Sequence, residues 1–334
     1  MKWRIIAIVA SVIPLIIIGA LLNVGPDDIL SVGIVPFVLA SAIAFAKLLV
    51  QCMRYHYFVK SFVGPVATMR HNTEVRIASE FVTLTTPAFI GGEFVRVAWL
   101  NKIGVHPGKG MWIITAEVIS DVLVGSILAF IAAGLAFAAQ NYLIAIGIVV
   151  IAGPIFAAYM SLLILSSKTI LQLPGFSLSL LAKIFGPIKA EKWINTTNDI
   201  LKGLCEMSRE NLRSSSFKVF AIGLALTFVG ASLHALTFMV IANTTAANVG
   251  FFESLMAVAA SVAIGTLPIS PGGSGLSEFG IGYYLTTFGI DPLLFGSVII
   301  AWRIASYHVI LAISWVALMK LAVGKVGKST ASTK

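Results

Sequence analysis

Hydrophobic positions in this chain form long uninterrupted runs, and polar or charged positions are concentrated in the short stretches between them. A helix needs about 20 apolar residues to cross a hydrocarbon core about 30 Å thick, so runs of this length predict transmembrane helices. The first run is longer than the apolar part of a secretory signal, and we expect it to be retained. The pattern predicts six spans, at residues 4–22, 34–54, 112–138, 142–166, 217–242 and 293–319.

Two further apolar stretches, about 75–101 and 253–288, are interrupted by proline and glycine. The first is broken from Pro87 onwards and the second from Pro268 onwards. The pieces beside each break are too short to cross a bilayer. Backbone that unwinds at membrane depth must be shielded by protein or line a wet cavity. The pattern therefore predicts two re-entrant helical hairpins.

The composition supports an all-α polytopic membrane protein with a single membrane domain over residues 1–334. Of these residues, 58% are hydrophobic and 11% are charged, whereas soluble domains are about 25% charged. The net charge of +9 does not indicate nucleic-acid binding. The cations stand at the ends of apolar runs, where Lys and Arg orient a helix against the membrane.

Lys and Arg are distributed asymmetrically between the loops. They precede the first span, follow the second, precede the third, recur through residues 167–216 and close the chain. The positive-inside rule then predicts a cell-membrane protein with both termini in the cytoplasm and hairpins that enter from opposite faces. The connections on the other side carry no Lys or Arg, and they are Asp27-Asp28, Gln140-Asn141, Asn243–Glu253 and Asp291.

Residues 167–216 form the one sizeable aqueous segment that the pattern predicts. Within it, Phe176–Phe185 and Trp193–Leu212 alternate apolar with charged residues, as helices lying on an anionic leaflet do. A solvated connector is the alternative interpretation.

The two broken segments resemble each other in spacing. Glu93 follows the first break and stands 24 residues before Glu117, and Glu278 follows the second break and stands 25 residues before Arg303. With hairpins that enter from opposite faces, this similarity predicts an inverted repeat, a recurrent construction in transporters. Chance similarity between two Gly/Pro-rich hairpins is the alternative.

Charged side chains inside a bilayer are costly unless they are paired or hydrated, and they are therefore candidates for a substrate-binding or gating role. Glu117 and Asp121 share one face of the third span, and we expect Arg96 and Arg303 to supply their counter-charges. A buried ion-pair network that only locks the hairpins to the bundle is the alternative. The candidate residues are Glu93, Arg96, Glu117, Asp121, Glu278 and Arg303.

The glycine-rich breaks predict an anion site. An unwound segment leaves backbone N–H groups free where a half-helix begins, and such an end attracts anions. With Arg96 and Arg303 nearby, a phosphate group fits this chemistry. Lys47 and Arg54 end the second span and form either an access site or two cations that snorkel to the interface. The glycines concerned are Gly91, Gly92, Gly272 and Gly273.

Signals of enzymatic chemistry are absent from the sequence. It contains no HExxH, no GxSxG and no Cys/His cluster, and Cys52 and Cys205 lack metal-ligand spacing. We expect no metal, no cofactor, no nucleotide site and no catalytic residue. The histidines inside spans, His234 and His308, are expected to be hydrogen-bonded packing residues.

These motifs resemble those of the lysylphosphatidylglycerol synthase transmembrane family, also called flippase-like or UPF0104 proteins. In that family a proline and G-G-E-x-x-R precede a span with an acidic pair, and P-G-G-x-G-x-x-E precedes a span with an arginine. The resemblance covers roughly residues 30–320. The matching positions are Pro87, Gly91–Arg96, Glu117 and Asp121 in the first half, and Pro271–Glu278 and Arg303 in the second.

The resemblance implies a protein that moves a lipid between leaflets. In the similar multiple peptide resistance factor a separate soluble domain performs aminoacyl transfer, and the segment after Lys320 is not expected to house one. The implied cargo is an anionic or zwitterionic phospholipid or a polyprenyl-linked glycolipid. The alternatives are a secondary transporter or channel for a small anion and, third, a membrane enzyme acting on a lipid headgroup with Glu93 or Glu117 as acid/base. Membrane lipids are the expected partners, and a homo-oligomer and a separate lipid-modifying enzyme are left open.

Overall fold

The computed structural model describes residues 2–21, 23–213, 217–244, 248–290 and 296–331, and helices dominate these ranges. Asp291, predicted in an outer connection, lies outside the described residues, as does part of Asn243–Glu253. The helices are α1 (Lys2–Leu21), α2 (Pro26–Leu30), α3 (Ile34–Val63), α4 (Met69–Leu84), α5 (Gly92–Lys102), α6 (Pro107–Ala138), α7 (Tyr142–Lys168), α8 (Phe176–Phe185), α9 (Pro187–Arg213), α10 (Phe217–Ala242), α11 (Phe251–Gly265), α12 (Leu276–Leu285), α13 (Gly296–Arg303) and α14 (Val309–Ala331).

Five stretches of the described chain are helical, long and apolar enough to cross a membrane. They are α3, α6, α7, α10 and the stretch Gly296–Ala322, and they coincide with the second to sixth predicted spans. The helical architecture therefore agrees with the prediction of a polytopic membrane protein. Helix α1 occupies the first predicted span, and the apolar part of it that is described in full is Val12–Leu21. A sixth crossing through α1 stays a prediction.

Helix α3 continues past residue 54, where the sequence pattern predicts the end of the second span. The helix itself ends only at Val63, because the residues after Arg54 have a packing surface of their own, and the membrane boundary at residue 54 stays a prediction. Tyr55, Phe58 and Val59 are all fully buried, in a core cluster shared with α5 and α6. Arg54 consequently lies inside a long helix and not at its end.

Each predicted break separates two short helices. The first lies between α4 and α5, and the second between α11 and α12. At 1.5 Å per residue, the 16 residues of α4, the longest of the four, extend only about 24 Å. None of the four therefore matches a hydrocarbon core of about 30 Å.

The last span contains an irregular turn at its charged residue. Helix α13 ends at Arg303, and a π-helical turn over Ile304–His308 leads into α14. Turns of this kind are rare and occur frequently at functional sites. Here the turn brings Arg303 and Tyr307 to the same place, next to the second break.

The segment predicted to lie at the membrane surface forms α8 and α9. Helix α9 packs against α6 and α7, and the contact with α6 depends on two glycines. A Cβ atom on Gly108 would lie 2.6 Å from the Cα atom of Gly203. The absence of both side chains therefore allows the two backbones to touch.

We expect Gly108→Ala to lower the free energy of unfolding by about 1–3 kcal/mol, the usual cost of overpacking a close contact. Gly125→Ala is the matched control, since it lies in the same helix and its Cβ would meet nothing within 4 Å. The control should be neutral or slightly stabilising, because alanine favours helix over glycine. Unfolding of the purified protein, followed by tryptophan fluorescence, measures both. Equal stability of the two variants would contradict this account of the α6–α9 contact.

Candidate functional site

The two breaks meet each other. Pro87 and Pro271 form an isolated antiparallel bridge, and the N–H of Gly272 donates to the carbonyl oxygen of Thr86 at 3.3 Å. The hydroxyl of Tyr307 also donates to the carbonyl oxygen of Leu84 at 2.6 Å. We call this contact between the two breaks the break junction. It satisfies backbone groups that unwinding would otherwise leave unpaired.

The break junction holds its backbone in left-handed conformations. Ala88 and Phe89 have φ values of 56° and 58°, which are uncommon for residues other than glycine. Gly272 also has a φ of 56°, and a Cβ atom there would clash with the Tyr307 ring and lie 2.8 Å from the carbonyl oxygen of Leu84. Glycine is thus required at position 272 for both conformation and space.

Each half-helix after a break is capped by its own glutamate. The N–H of Gly91 donates to Glu93 Oε2 at 2.8 Å, and the N–H of Gly275 donates to Glu278 Oε2 at 2.7 Å. The sequence pattern predicts that N–H groups at the breaks are free to bind an anion. For these two N–H groups the prediction is wrong, because a carboxylate of the protein already accepts a hydrogen bond from each. The arrangement is similar at the two breaks, with the glutamate two residues after its glycine at the first and three residues after it at the second.

Glu117 is the centre of a buried ion-pair network. Its side chain is 1% exposed, and its Oε2 atom lies 2.6 Å from Arg96 Nη1. Its Oε1 atom lies 3.4 Å from Arg54 Nη2 and 3.8 Å from Arg76 Nε. The three arginines come from α3, α4 and α5, so one carboxylate of α6 ties these helices together. Arg96 also binds Glu93 at 3.0 Å.

Arg54 pairs with the second carboxylate of α6. Its Nη1 and Nη2 atoms bind the two Asp121 oxygens at 2.5 and 2.8 Å, and Nη1 also donates to the Thr227 hydroxyl. The prediction that Arg303 supplies a counter-charge to the acidic pair is wrong, because Arg54 takes that position. Snorkelling is likewise wrong for Arg54, whose side chain is only 2% exposed.

Arg76 and Glu80 were not among the predicted site residues, yet they extend the network on α4. Arg76 Nη1 lies 2.5 Å from Glu80 Oε2, and both side chains are largely buried. Their spacing of four residues inside a broken apolar segment is a signal that the sequence already carried. We define the Glu117 cluster as Arg54, Arg76, Glu80, Glu93, Arg96, Glu117 and Asp121.

Arg303 belongs to the second break. Its Nε atom lies 2.8 Å from Glu278 Oε1, and its Nη2 atom donates to the Gly272 carbonyl oxygen at 2.5 Å and to Ser274 Oγ at 3.2 Å. The guanidinium also lies 4.1 Å from the centre of the Tyr307 ring. Arg303 therefore holds the second break in shape, and its ion pair with Glu278 is separate from the Glu117 cluster.

Two carboxylates of the cluster are accessible. The Asp121 side chain is 49% exposed and that of Glu93 is 24% exposed, whereas Glu117 and Arg54 are almost completely buried. Asp121 lies near the middle of a 32-residue apolar helix, where contact of a charge with lipid is expensive. Asp121 is thus a half-exposed carboxylate in the middle of an apolar helix, with both of its oxygens held by Arg54.

The cavities described in the structure lie away from the break junction. A polar cavity of about 320 Å³ lies between the start of α6 and α9, lined by His106, Asp199 and Lys202 among others. An apolar groove of about 390 Å³ separates α6 from α7 near Phe130 and Val149. Among the described residues, no group of three or more His, Cys, Asp or Glu is arranged to hold a metal ion.

We expect Glu117→Gln to lower the free energy of unfolding by about 3–5 kcal/mol, because it removes the charge shared by three buried arginines. The matched control is Glu74→Gln, which breaks an exposed pair with Arg70 on α4 and should cost less than about 1 kcal/mol. Equilibrium unfolding of both purified variants in mixed micelles measures the difference. A cost for Glu117→Gln as small as that of the control would show that the network is not structural.

We expect Gly272→Ala to destabilise the break junction more than Gly289→Ala does. Both glycines have positive φ, so both substitutions introduce the same kind of backbone strain. Only at position 272 does the added Cβ also meet the Tyr307 ring and the Leu84 carbonyl, whereas nothing lies within 4 Å at position 289. The readout is proteolysis of the folded protein near the breaks. Equal protection in the two variants would contradict the tight contact.

Comparison with known proteins gives two matches. The family model described as the lysylphosphatidylglycerol synthase TM region matches residues 5–314. A protein of Archaeoglobus fulgidus described as a UPF0104 membrane protein is 24% identical over 250 residues, which cover 75% of this chain and 76% of the relative.

Proposed function

The chain belongs to the lysylphosphatidylglycerol synthase transmembrane family, and from that membership and the geometry of the break junction we propose that it transports a lipid between membrane leaflets. The membership assigns it to membrane proteins of lipid metabolism or transport. The cargo we propose is an anionic or zwitterionic phospholipid or a polyprenyl-linked glycolipid. We propose transport without chemical change of the lipid, and hence no enzymatic activity.

The observation that carries this proposal is the half-exposed carboxylate of Asp121, which belongs to the Glu117 cluster, whereas Glu117 and Arg54 of the same cluster are buried. A headgroup needs a polar path through the hydrocarbon core, while its acyl chains can stay in the surrounding lipid. We propose that the half-exposed carboxylate of Asp121, in the middle of an apolar helix, marks such a path. The apolar groove between α6 and α7 is a surface that acyl chains can cover.

We propose that α4–α5 and α11–α12 are re-entrant hairpins related as an inverted repeat. Four helices too short to cross, two breaks in contact, and a glutamate that caps each half-helix support this arrangement. In transporters with such repeats, the substrate site lies near the midplane, where the broken helices meet. From the positive-inside rule we propose that the protein lies in the cell membrane with both termini in the cytoplasm.

Within this site the residues would divide into two roles. The buried pairs, Arg96–Glu117 and Arg303–Glu278, would hold the hairpins and change partners when the site opens. The accessible carboxylates of Asp121 and Glu93 would face the headgroup. We propose that the break glycines let the backbone pack closely around this site, since all but the first are buried; they are Gly91, Gly92, Gly272 and Gly273.

Proteoliposomes with fluorescent phospholipid test the proposal, because dithionite quenches only the label in the outer leaflet. Wild-type protein should allow quenching of the inner leaflet, and Glu93→Gln and Arg303→Gln should slow it at least about tenfold, the effect of losing one charge-assisted contact. Glu74→Gln, on the exposed face of α4, should match the wild type.

A second set of vesicles carries a fluorescent polyprenyl-phosphate sugar, and a third contains a radiolabelled small anion. Protein-dependent movement of either lipid supports the proposal and identifies the cargo. Anion uptake without movement of either lipid would replace it with a small-anion transporter. A change in the mass of the added lipid would replace it with an enzyme.

A further inference from the structure

Lys47 lies on α3 next to Leu48, which packs in one core cluster with Leu84 and Tyr307 of the break junction. It takes part neither in the ion pairs of the Glu117 cluster nor in that of Arg303. It stands near the middle of the 30-residue helix α3, two turns from Arg54 along the same face. Its side chain is half-buried. Among the described residues, Lys47 forms no hydrogen bond and no ion pair within 4 Å.

Each of the four described arginines around the break junction is already in an ion pair. Arg54 is bound by Asp121, Arg76 by Glu80, and Arg96 by Glu117. Arg303 is bound by Glu278 and by the Gly272 carbonyl. An incoming anion would have to break one of these buried pairs in order to reach a guanidinium, and that is costly.

The charged groups within electrostatic range of Lys47 come from three helices, α4, α6 and α13. Glu80 of α4 and Asp121 of α6 attract its ammonium group, and Arg76 and Arg303 repel it. The imidazole of His234 on α10 also lies within electrostatic range. Lys47 is thus within electrostatic range of Arg76 and Glu80 beside the first break and of Arg303, which binds the second break, while its own ammonium has no partner within 4 Å.

We propose that Lys47 binds the phosphate of the cargo, and that the arginines near the breaks do not. A lysine ammonium has three donors on a flexible stem and binds phosphate as a point charge. This inference deepens the proposed function and rests on it for the identity of the cargo as a lipid. It also assigns the phosphate to a residue outside the predicted set at the breaks.

The charge balance narrows the class of cargo. Around the break junction, five described cations face five described carboxylates, and only one of these cations is free of a close partner. Because these charges already balance, a phosphodiester brings one negative charge in excess, and the ammonium of Lys47 is the cation that it can contact without breaking an ion pair. A diphosphate would bring at least one more charge into a site that has no free cation for it. The site therefore favours lipids with one phosphodiester, whether phospholipid or polyprenyl-monophosphate sugar, over lipid diphosphates.

Binding is measured independently of transport, as the shift in thermal unfolding midpoint that a ligand causes in detergent. The probes are dioctanoyl phosphatidylglycerol, farnesyl diphosphate, uncharged dioctanoylglycerol and inorganic phosphate. Wild-type protein should be stabilised by the phosphodiester lipid more than by the other three. Lys47→Gln should weaken that binding about tenfold to a hundredfold, the worth of a hydrogen bond to a charged group, and Lys47→Arg should restore most of it.

Lys60→Gln is the matched control, since Lys60 is exposed on the same helix, and it should bind like the wild type.

Without ligand, Lys47→Gln should unfold at the wild-type midpoint because Lys47 has no ion pair to lose, and a lowered midpoint would overturn the binding role. Unchanged lipid binding in Lys47→Gln would also overturn it, as would a preference for the diphosphate. An equal shift with inorganic phosphate would assign the residue to a small anion. Lys47-dependent lipid binding with no transport in vesicles would instead refute the proposed function alone.

Discussion

The structure depends on the burial of one carboxylate, that of Glu117. Its side chain is 1% exposed and faces three arginines from three other helices. A charge in this position is tolerated only when it is paired and hydrogen-bonded. The arginines are equally constrained, because each would be an isolated cation in an apolar bundle without its carboxylate. The ion pairs of Glu117 with these arginines consequently hold four helices in one arrangement, namely α3, α4, α5 and α6.

In the second half of the chain, the buried charge of Arg303 is compensated by a single carboxylate. Arg303 is compensated by Glu278 and is also held by the Gly272 carbonyl and the Tyr307 ring. The first break is joined to the second through backbone contacts and the Tyr307 hydroxyl. A movement of one break therefore changes the environment of the other. This coupling is what alternating access would require of the two hairpins in a transporter with an inverted repeat.

Pairing the arginines also changes how an anion can be recognised. Guanidinium groups match phosphate well, but those near the breaks are already neutralised by carboxylates. The free ammonium of Lys47 is the cation that can gain a partner without another pair being lost. In the site that we propose, structural charge and binding charge would thus be carried by different residues.

The membrane character, the five stretches long and apolar enough to cross a membrane, both breaks and part of the charged network could be predicted from the sequence, whereas Arg76 and Glu80 were missed. The predicted features follow from local properties, namely the length of apolar runs, the backbone freedom of Gly and Pro, and the cost of charge in lipid. Which charges pair depends on how the helices pack. Arg54 lies 67 positions from Asp121 along the chain, and helix spacing cannot tell whether it or Arg303 meets that carboxylate. The capping of Gly91 by Glu93 and the free state of Lys47 were likewise decided by side-chain positions in the folded bundle. Pairing energy depends on the distance between atoms, and that distance exists only after the helices have packed.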